Sequence, residues 1–192
     1  MLDKLLEMEE IDQVIINTDA RLEIEKGNLV KSKKIKIRDR KQSICGDFIS
    51  MNEIIKDDLM NSEFDFYIMT HTTNPFLSIS TIKKALNKFF FEMKQSKHDS
   101  LFTVNKIQTR FYKKNGIPYN HNPAVLMRTQ DLEPLYEENS NLYIFSKEGF
   151  LRNNSRIGEK PILYETDKYE SIDIDDPQDW EIASLIAKNI NG

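Results

Sequence analysis

The residues best placed to do chemistry lie near the end of the chain, in Ser171-Ile172-Asp173-Ile174-Asp175-Asp176-Pro177. Alternate side chains of a strand share a face, so Asp173 and Asp175 would point one way while Ile172 and Ile174 enter a core. Carboxylates two residues apart on a strand stand ~6–7 Å from each other. That span suits a hard divalent cation. Mg²⁺ fits best, because it takes one or two carboxylates and completes its shell with water and phosphate oxygens. The same residues also read as a solvated strand end whose aspartates merely cap the next helix. Asp176 suits the N-cap, Pro177 the first turn, and Asp179 the reciprocal capping position. Trp180, Ala183, Ala187 and Ile190 would give that helix a buried stripe.

The elements that would position these carboxylates follow from periodicity. Residues 2–10 read as a short helix, and the β-branched run 13–17 as a buried strand ending at Thr18-Asp19. Residues 34–38 alternate as a half-buried strand, and 50–60 have helical spacing. Residues 64–69 form a strand that runs into the polar loop Thr70-His71-Thr72-Thr73-Asn74-Pro75. Ile82, Ala85, Leu86, Phe89, Phe90 and Met93 mark the clearest helix, with Ser78 or Ser80 as its N-cap. Strands follow at 100–104, 142–145, 162–165 and 171–175, with a hairpin at 110–120 turning on Asn115-Gly116 and a last helix from Pro177 to about Asn189. Strand and helix alternate early in the chain. This predicts an α/β fold, a mostly parallel sheet covered by helices on both faces. Ligands of such sheets sit beyond the carboxyl ends of the strands, where Asp19, Thr70–Asn74 and Asp173–Asp175 would converge. The stretch 105–140, with its hairpin, interrupts the pattern and reads as an arm or dimer contact.

Composition narrows the function. A chain of this length supports one domain with a real core. A formal charge of −4 argues against a partner with a phosphate backbone, so no nucleic acid is expected. Cys45 is the only cysteine, which excludes an intrachain disulfide and a thiolate metal cluster. No apolar stretch approaches the ~20 residues that cross a bilayer, and the acidic start Met1–Glu10 has no signal-peptide core. The expectation is no membrane association and a cytoplasmic location.

Taken in order along the chain, four segments resemble the acylneuraminate cytidylyltransferases, the CMP-sialic acid synthetases. Val14–Ala20 is similar to the family's strand ending in Ser-Thr-Asp. Arg40–Asp47 is similar to its Arg-Pro-x-x-Leu-x-x-Asp stretch, and Phe64–Ser78 to its Leu-Gln-Pro-Thr-Ser-Pro-Leu-Arg loop. Arg128–Phe145, followed by Ser171–Trp180, resembles its Arg-Gln-Asp-Leu…Asn-Gly-Ala-Ile-Tyr-Ile and final Asp-Ile-Asp. The resemblance implies a three-layer Rossmann-like nucleotidyltransferase that transfers CMP from CTP to a sialic-like nonulosonic acid, working as a homodimer with Mg²⁺. It also implies that Asp173 and Asp175 hold the metal, that Arg40 and Ser50 contact the nucleotide, and that His71, Arg128, Gln130, Asn139 and Tyr143 line the sugar-acid pocket. An arginine in that pocket would pair with the substrate carboxylate in a bidentate way.

The departures from the family pattern bear mainly on the sugar. His71 stands where the family has Gln, and reads as a pocket hydrogen-bonder rather than a base, or equally as a surface residue. Leu77 replaces Arg, Lys41 replaces Pro, Ser140-Asn141 replace Gly-Ala, and Arg128 is one position further from Gln130 than the pattern has it. The family's first strand and its Gly-, Arg- and Lys-rich phosphate loop have no counterpart in these residues. The expectation is therefore an N-terminally truncated single domain over 1–192, weakly active or inactive as written. Alternatives are an octulosonic-acid cytidylyltransferase and a non-catalytic nucleotide-binding or dimerising paralogue.

Overall fold

The computed structural model describes residues 1–27, 29–95 and 97–190. Its strands are β1 (Val14–Thr18), β2 (Ile35–Asp39), β3 (Phe66–Thr70), β4 (Ser100–Ile107), β5 (Leu135–Ser146) and β6 (Pro161–Glu165). Its α-helices are α1 (Leu2–Glu7), α2 (Arg21–Lys26), α3 (Met51–Met60), α4 (Ile79–Lys94), α5 (Lys147–Asn153) and α6 (Pro177–Ile190). The larger sheet has the order β3-β5-β4-β6. Its β5 runs antiparallel to both neighbours, while β4 and β6 pair in parallel. Three of its four strands therefore share one direction. β1 and β2 pair in parallel as a separate two-stranded sheet.

Helices cover both faces of the larger sheet, as the alternation along β5 requires. Leu142 and Ile144 pack with Leu5, Met8, Ile82, Leu86 and Phe89 of the α1/α4 layer. The intervening Tyr143 and Phe145 pack with Ile55, Leu59 and Phe150 of the α3/α5 layer. A strand with helices on both sides has no polar face, which is why Leu142–Phe145 reads as a continuous apolar run. Each fully buried large side chain stabilises the fold by about 1.5–3 kcal/mol relative to exposure. The result is the helix–sheet–helix sandwich that the periodicity predicts.

Several expected elements differ in extent. α1 ends at Glu7 because Met8 turns extended, with φ −82° and ψ 125°, and is fully buried. Val14, Ile15 and Ile16 are half-buried rather than buried, since β1 has β2 on one side and no strand of the larger sheet on the other. The hairpin at 110–120 is reduced to one bridge, Tyr112 with Pro118, around a turn in which Gly116 takes φ +79°. That value favours glycine. Residues 171–175 form no strand in a ladder. They lie along the loop after β3, where the Ile174 N–H donates to Thr73 O at 3.0 Å and Asn74 Nδ2 to Ile172 O at 3.3 Å. One side-chain amide and one backbone carbonyl replace a cross-strand partner. The stripe expected on α6 also changes. Ala183 is buried, but Trp180 is exposed, with no layer packed beyond it. The Ile190 side chain lies outside the described residues.

Candidate active site

The loop after β3 is fixed from three directions. Lys4 of α1 donates from Nζ to Pro75 O at 2.9 Å and to Leu77 O at 2.8 Å. Burial lowers the Lys4 pKa, and Glu170 opposes that shift. Asn74 is fully buried and holds Ile172. Glu170 accepts from the Ser78 N–H at 3.2 Å and the Thr81 hydroxyl at 3.0 Å, which ties the approach to Asp173 to the first turn of α4. Ser78 caps that turn, accepting from the Thr81 N–H.

A second support comes from β5. Its register with β4 slips by three residues between Phe102 and Val104. Asn139, Ser140 and Asn141 occupy this bulge, and Ser140 takes φ +56°. Asn141 is fully buried and donates to Glu170 O at 2.8 Å. Asn139 is buried and donates to Asn105 Oδ1 and Thr166 Oγ1. The loop after β3, the bulge of β5 and residues 170–175 thus meet at one junction. Five side-chain polar atoms there are buried without a hydrogen-bond partner: His71 Nε2, Asn74 Oδ1, Asn141 Oδ1, Glu170 Oε2 and Asp173 Oδ1. Buried polar groups are normally satisfied, so these atoms are suited to bond a ligand, ion or water.

Charge at the junction is mixed. His71 is held below the ordinary histidine pKa, first by burial and then by the Arg156 guanidinium, while Asp173 and Asp175 pull it upward. Asp175 is exposed. Asp179 Oδ2 accepts from the Asp175 and Asp176 amides, and Asp176 Oδ1 accepts from the Gln178 and Asp179 amides. This is the reciprocal cap expected at the start of α6. Among the described residues no group of three or more His, Cys, Asp or Glu side chains is arranged around a metal position. The two aspartates suit a cation that draws its remaining ligands from water and substrate, and the unpartnered Asp173 oxygen fits that use.

Arg156, in the turn between α5 and β6, carries no signal in the sequence as a site residue. Its Nη2 donates to the Tyr143 hydroxyl at 3.0 Å and lies 3.6 Å from Glu138 Oε1, and its guanidinium carbon stands 3.9 Å above the Tyr143 ring. It borders a cavity of about 290 Å³ with Ser50, Met51 and Asn52 at the start of α3. Ser50 is the N-cap of α3, accepting from the Asn52 N–H. Tyr143 is fully buried, its hydroxyl also bonded to Glu138, and burial raises its pKa. Arg40 follows β2 and donates to Asn17 O at 2.9 Å and Asn17 Oδ1 at 3.2 Å. Asn17 in turn donates to Asp58 of α3. Arg128 is exposed and bonded to Asp131, and the backbone carbonyl of exposed Gln130 accepts from Gln108. The bonds of these last two residues stay within the arm.

The family model described as "Cytidylyltransferase" matches residues 1–183. The chain belongs to the cytidylyltransferase family. Relatives within reach of sequence comparison include the post-translational flagellin modification protein B of Campylobacter coli, 24% identical over 93% of this chain and 78% of that protein. N-acylneuraminate cytidylyltransferases of Streptococcus agalactiae serotype V and of Escherichia coli O18:K1:H7 are 26% and 24% identical over 87% and 99% of this chain. The chain spans 40% and 45% of those two longer proteins. Among solved structures, the 4-diphosphocytidyl-2C-methyl-D-erythritol synthase of Anaerococcus prevotii superposes with a TM-score of 0.70 at 13% identity, over 97% of this chain and 83% of that one. A CMP:2-keto-3-deoxy-manno-octonic acid synthetase complexed with CTP gives 0.61 at 12% identity, over 97% and 86%. These likenesses establish the Rossmann-like nucleotidyltransferase fold, and the family places the chain among nucleotidyltransferases.

Proposed function

We propose that the protein carrying this chain transfers CMP from CTP to a sialic-like nonulosonic acid in the cytoplasm, releasing pyrophosphate. The observation that carries this reading is the junction of unpartnered buried polar atoms on His71, Asn74 and Asp173 at the end of β3, in a chain of the cytidylyltransferase family. The choice of acceptor is supported by relatives named as N-acylneuraminate cytidylyltransferases. The octulosonic-acid reading has a structural neighbour that acts on such a substrate.

In this reading Asp173 and Asp175 would hold Mg²⁺, which when bound offsets phosphate charge and lowers the pKa of the attacking hydroxyl. Burial and the Arg156 charge hold the His71 pKa below its ordinary value, and His71 would hydrogen-bond the acceptor. Arg40 and Ser50 would contact the nucleotide. Asn139 and Tyr143 are buried and would act through their neighbours. Catalysis would rest on aligning the acceptor hydroxyl with the α-phosphorus rather than on a covalent intermediate. The reading includes a homodimer. Its arm exposes Tyr112, Ile117, Tyr119, Val125, Leu126 and Met127. Arg128 and Gln130 on the same arm would take up their role once a second copy covers it.

Pyrophosphate release with CTP, Mg²⁺ and a panel of nonulosonic and octulosonic acids tests this. Turnover should be highest with a nonulosonic acid. It should fall by ~100-fold or more in Asp173→Asn, the size of effect seen when one preorganised electrostatic group is removed from a site. Preference for an octulosonic acid would select the second reading. Full activity in Asp173→Asn would refute both.

A further inference from the structure

We infer that Asn17 is a positioning residue for Arg40, fixing its guanidinium without neutralising it, an inference that rests on the nucleotide contact proposed for Arg40 above. Arg38, on β2, and Arg40, one residue past its end, are held in opposite ways. The Arg38 side chain is 12% exposed and pairs with Asp57 and Asp58 of α3, so its charge is compensated within the fold. The Arg40 guanidinium is held by Asn17, to whose backbone O Nη2 donates at 2.9 Å and to whose Oδ1 Nε donates at 3.2 Å. Both acceptors are neutral. The carboxylate next in sequence, Asp39, pairs with Arg21 instead. Among the described residues no carboxylate pairs with Arg40, and its Nη1 makes no hydrogen bond.

Asn17 takes its orientation from Asp58. In the parallel pairing of β1 with β2, Asn17 stands beside Arg38, and Asn17 Nδ2 and Arg38 Nη1 both donate to Oδ1 of Asp58, the former at 2.8 Å. The Asn17 amide thus has a carboxylate, which only accepts, on one side and a guanidinium, which only donates, on the other. One orientation satisfies both. A flipped amide would set oxygen against oxygen and N–H against N–H, so the amide oxygen is locked toward Arg40. The Arg40 backbone N–H donates to Thr18 O at 2.8 Å, which fixes the main chain as well. The guanidinium so held stands where β1 and β2 both end, and parallel strands take their ligands beyond their carboxyl ends. A donor set in place beforehand loses little freedom when an anion arrives. Its uncompensated charge makes each bond to a phosphate oxygen a strong one.

The test is calorimetric titration of CTP with Mg²⁺ into the protein carrying this chain, with no acceptor present. Arg40→Ala should raise the Kd for CTP by ~10–100-fold, the range of a charge-assisted bond. Asn17→Ala leaves only the backbone carbonyl to hold the guanidinium and should raise the Kd by ~5-fold, the size of one ordinary hydrogen bond. The Asn17→Ala/Arg40→Ala double variant should bind no more weakly than Arg40→Ala alone, because both changes act through one side chain. Asn17→Asp keeps an acceptor for Arg40 but pairs the guanidinium with a carboxylate, so it should weaken binding more than Asn17→Ala does. Titration stoichiometry gives the folded fraction of each variant separately from its Kd. A wild-type Kd in Asn17→Ala or in Asn17→Asp overturns the inference alone, as does a double variant weaker than Arg40→Ala by the full Asn17→Ala factor. An unchanged Kd in Arg40→Ala removes the nucleotide contact of Arg40, and the inference with it. Wild type that binds no CTP overturns the proposed function itself.

Discussion

At the residue scale, His71 reports on how the junction is charged. Burial and Arg156 push its pKa down, and Asp173 and Asp175 push it up. Each neighbour can therefore be removed with a known sign. In metal-free protein the His71 ring resonances should titrate below the ordinary histidine value of ~6.5. Arg156→Gln should move that midpoint up, and Asp173→Asn should move it further down. NMR titration, with the three histidines assigned by substitution, reads both. Shifts of the same sign in the two variants would show that His71 does not stand between them. The linkage follows. As pH drops below ~6.5 the unfolded chain takes up a proton at this position before the folded chain does, so stability declines on the acid side. His71→Gln should flatten that part of the stability–pH curve.

At the element scale, the acidic segment is positioned by hydrogen bonds to its surroundings rather than by a ladder. Glu170 links it to the first turn of α4, Asn141 holds the Glu170 carbonyl, and Thr73 and Asn74 hold Ile174 and Ile172. Glu170→Ala removes the acceptor of two of these bonds. It should lower stability by about 1–2 kcal/mol in urea unfolding and speed exchange of the Ile174 amide. Glu170→Gln, which keeps a carbonyl oxygen there, should recover part of both. Slow Ile174 exchange in Glu170→Ala would show that the segment is fixed by other means. The alternation Ile172-Asp173-Ile174-Asp175 looks like a strand in sequence because period-2 patterning encodes an extended chain and not the presence of a partner. The same limit explains β5, where the buried run Leu142–Phe145 is visible but the polar stretch 135–141 is not. Those residues join the sheet through a bulge that only β4 dictates. α5 escapes notice because it is seven residues long and holds Gly149, although Ser146 caps it. Of the residues proposed for the site, Asp173, Asp175 and His71 are suggested by motif and resemblance. Arg156 is not. It follows Asn153-Asn154-Ser155 and looks like a surface arginine, and its burial comes from Tyr143 and from Met69, 87 positions away.

At the scale of the whole molecule, the sheet and its two helical layers account for most of the core, while the part of the arm between β4 and β5, apart from the buried Leu132, is largely exposed. Tyr119 and Val125 are 60% and 56% exposed, and Leu126 is 90% exposed. The neighbouring Arg128 pairs with Asp131 just beside this apolar group. Scattered exposed apolar residues are ordinary, but this many on one excursion from the fold fits the proposed contact with a second copy. A net charge of only −4 offers little repulsion between copies. In the proposed homodimer the arm of each copy lies against the other, so substitution there should act on assembly and leave the separate subunit folded. Leu126→Asp places a charge in the middle of the contact and touches no buried core residue, and surface changes of this kind alter subunit stability by less than ~0.5 kcal/mol. Sedimentation velocity should show a dimer for the wild type and a monomer for Leu126→Asp at micromolar concentration, with melting of the isolated subunit unchanged. The acceptor KM should rise on dissociation if the covered arm is what brings Arg128 and Gln130 to the site. A monomeric wild type, or a Leu126→Asp dimer as tight as the wild type, would assign the exposed arm to something other than self-association.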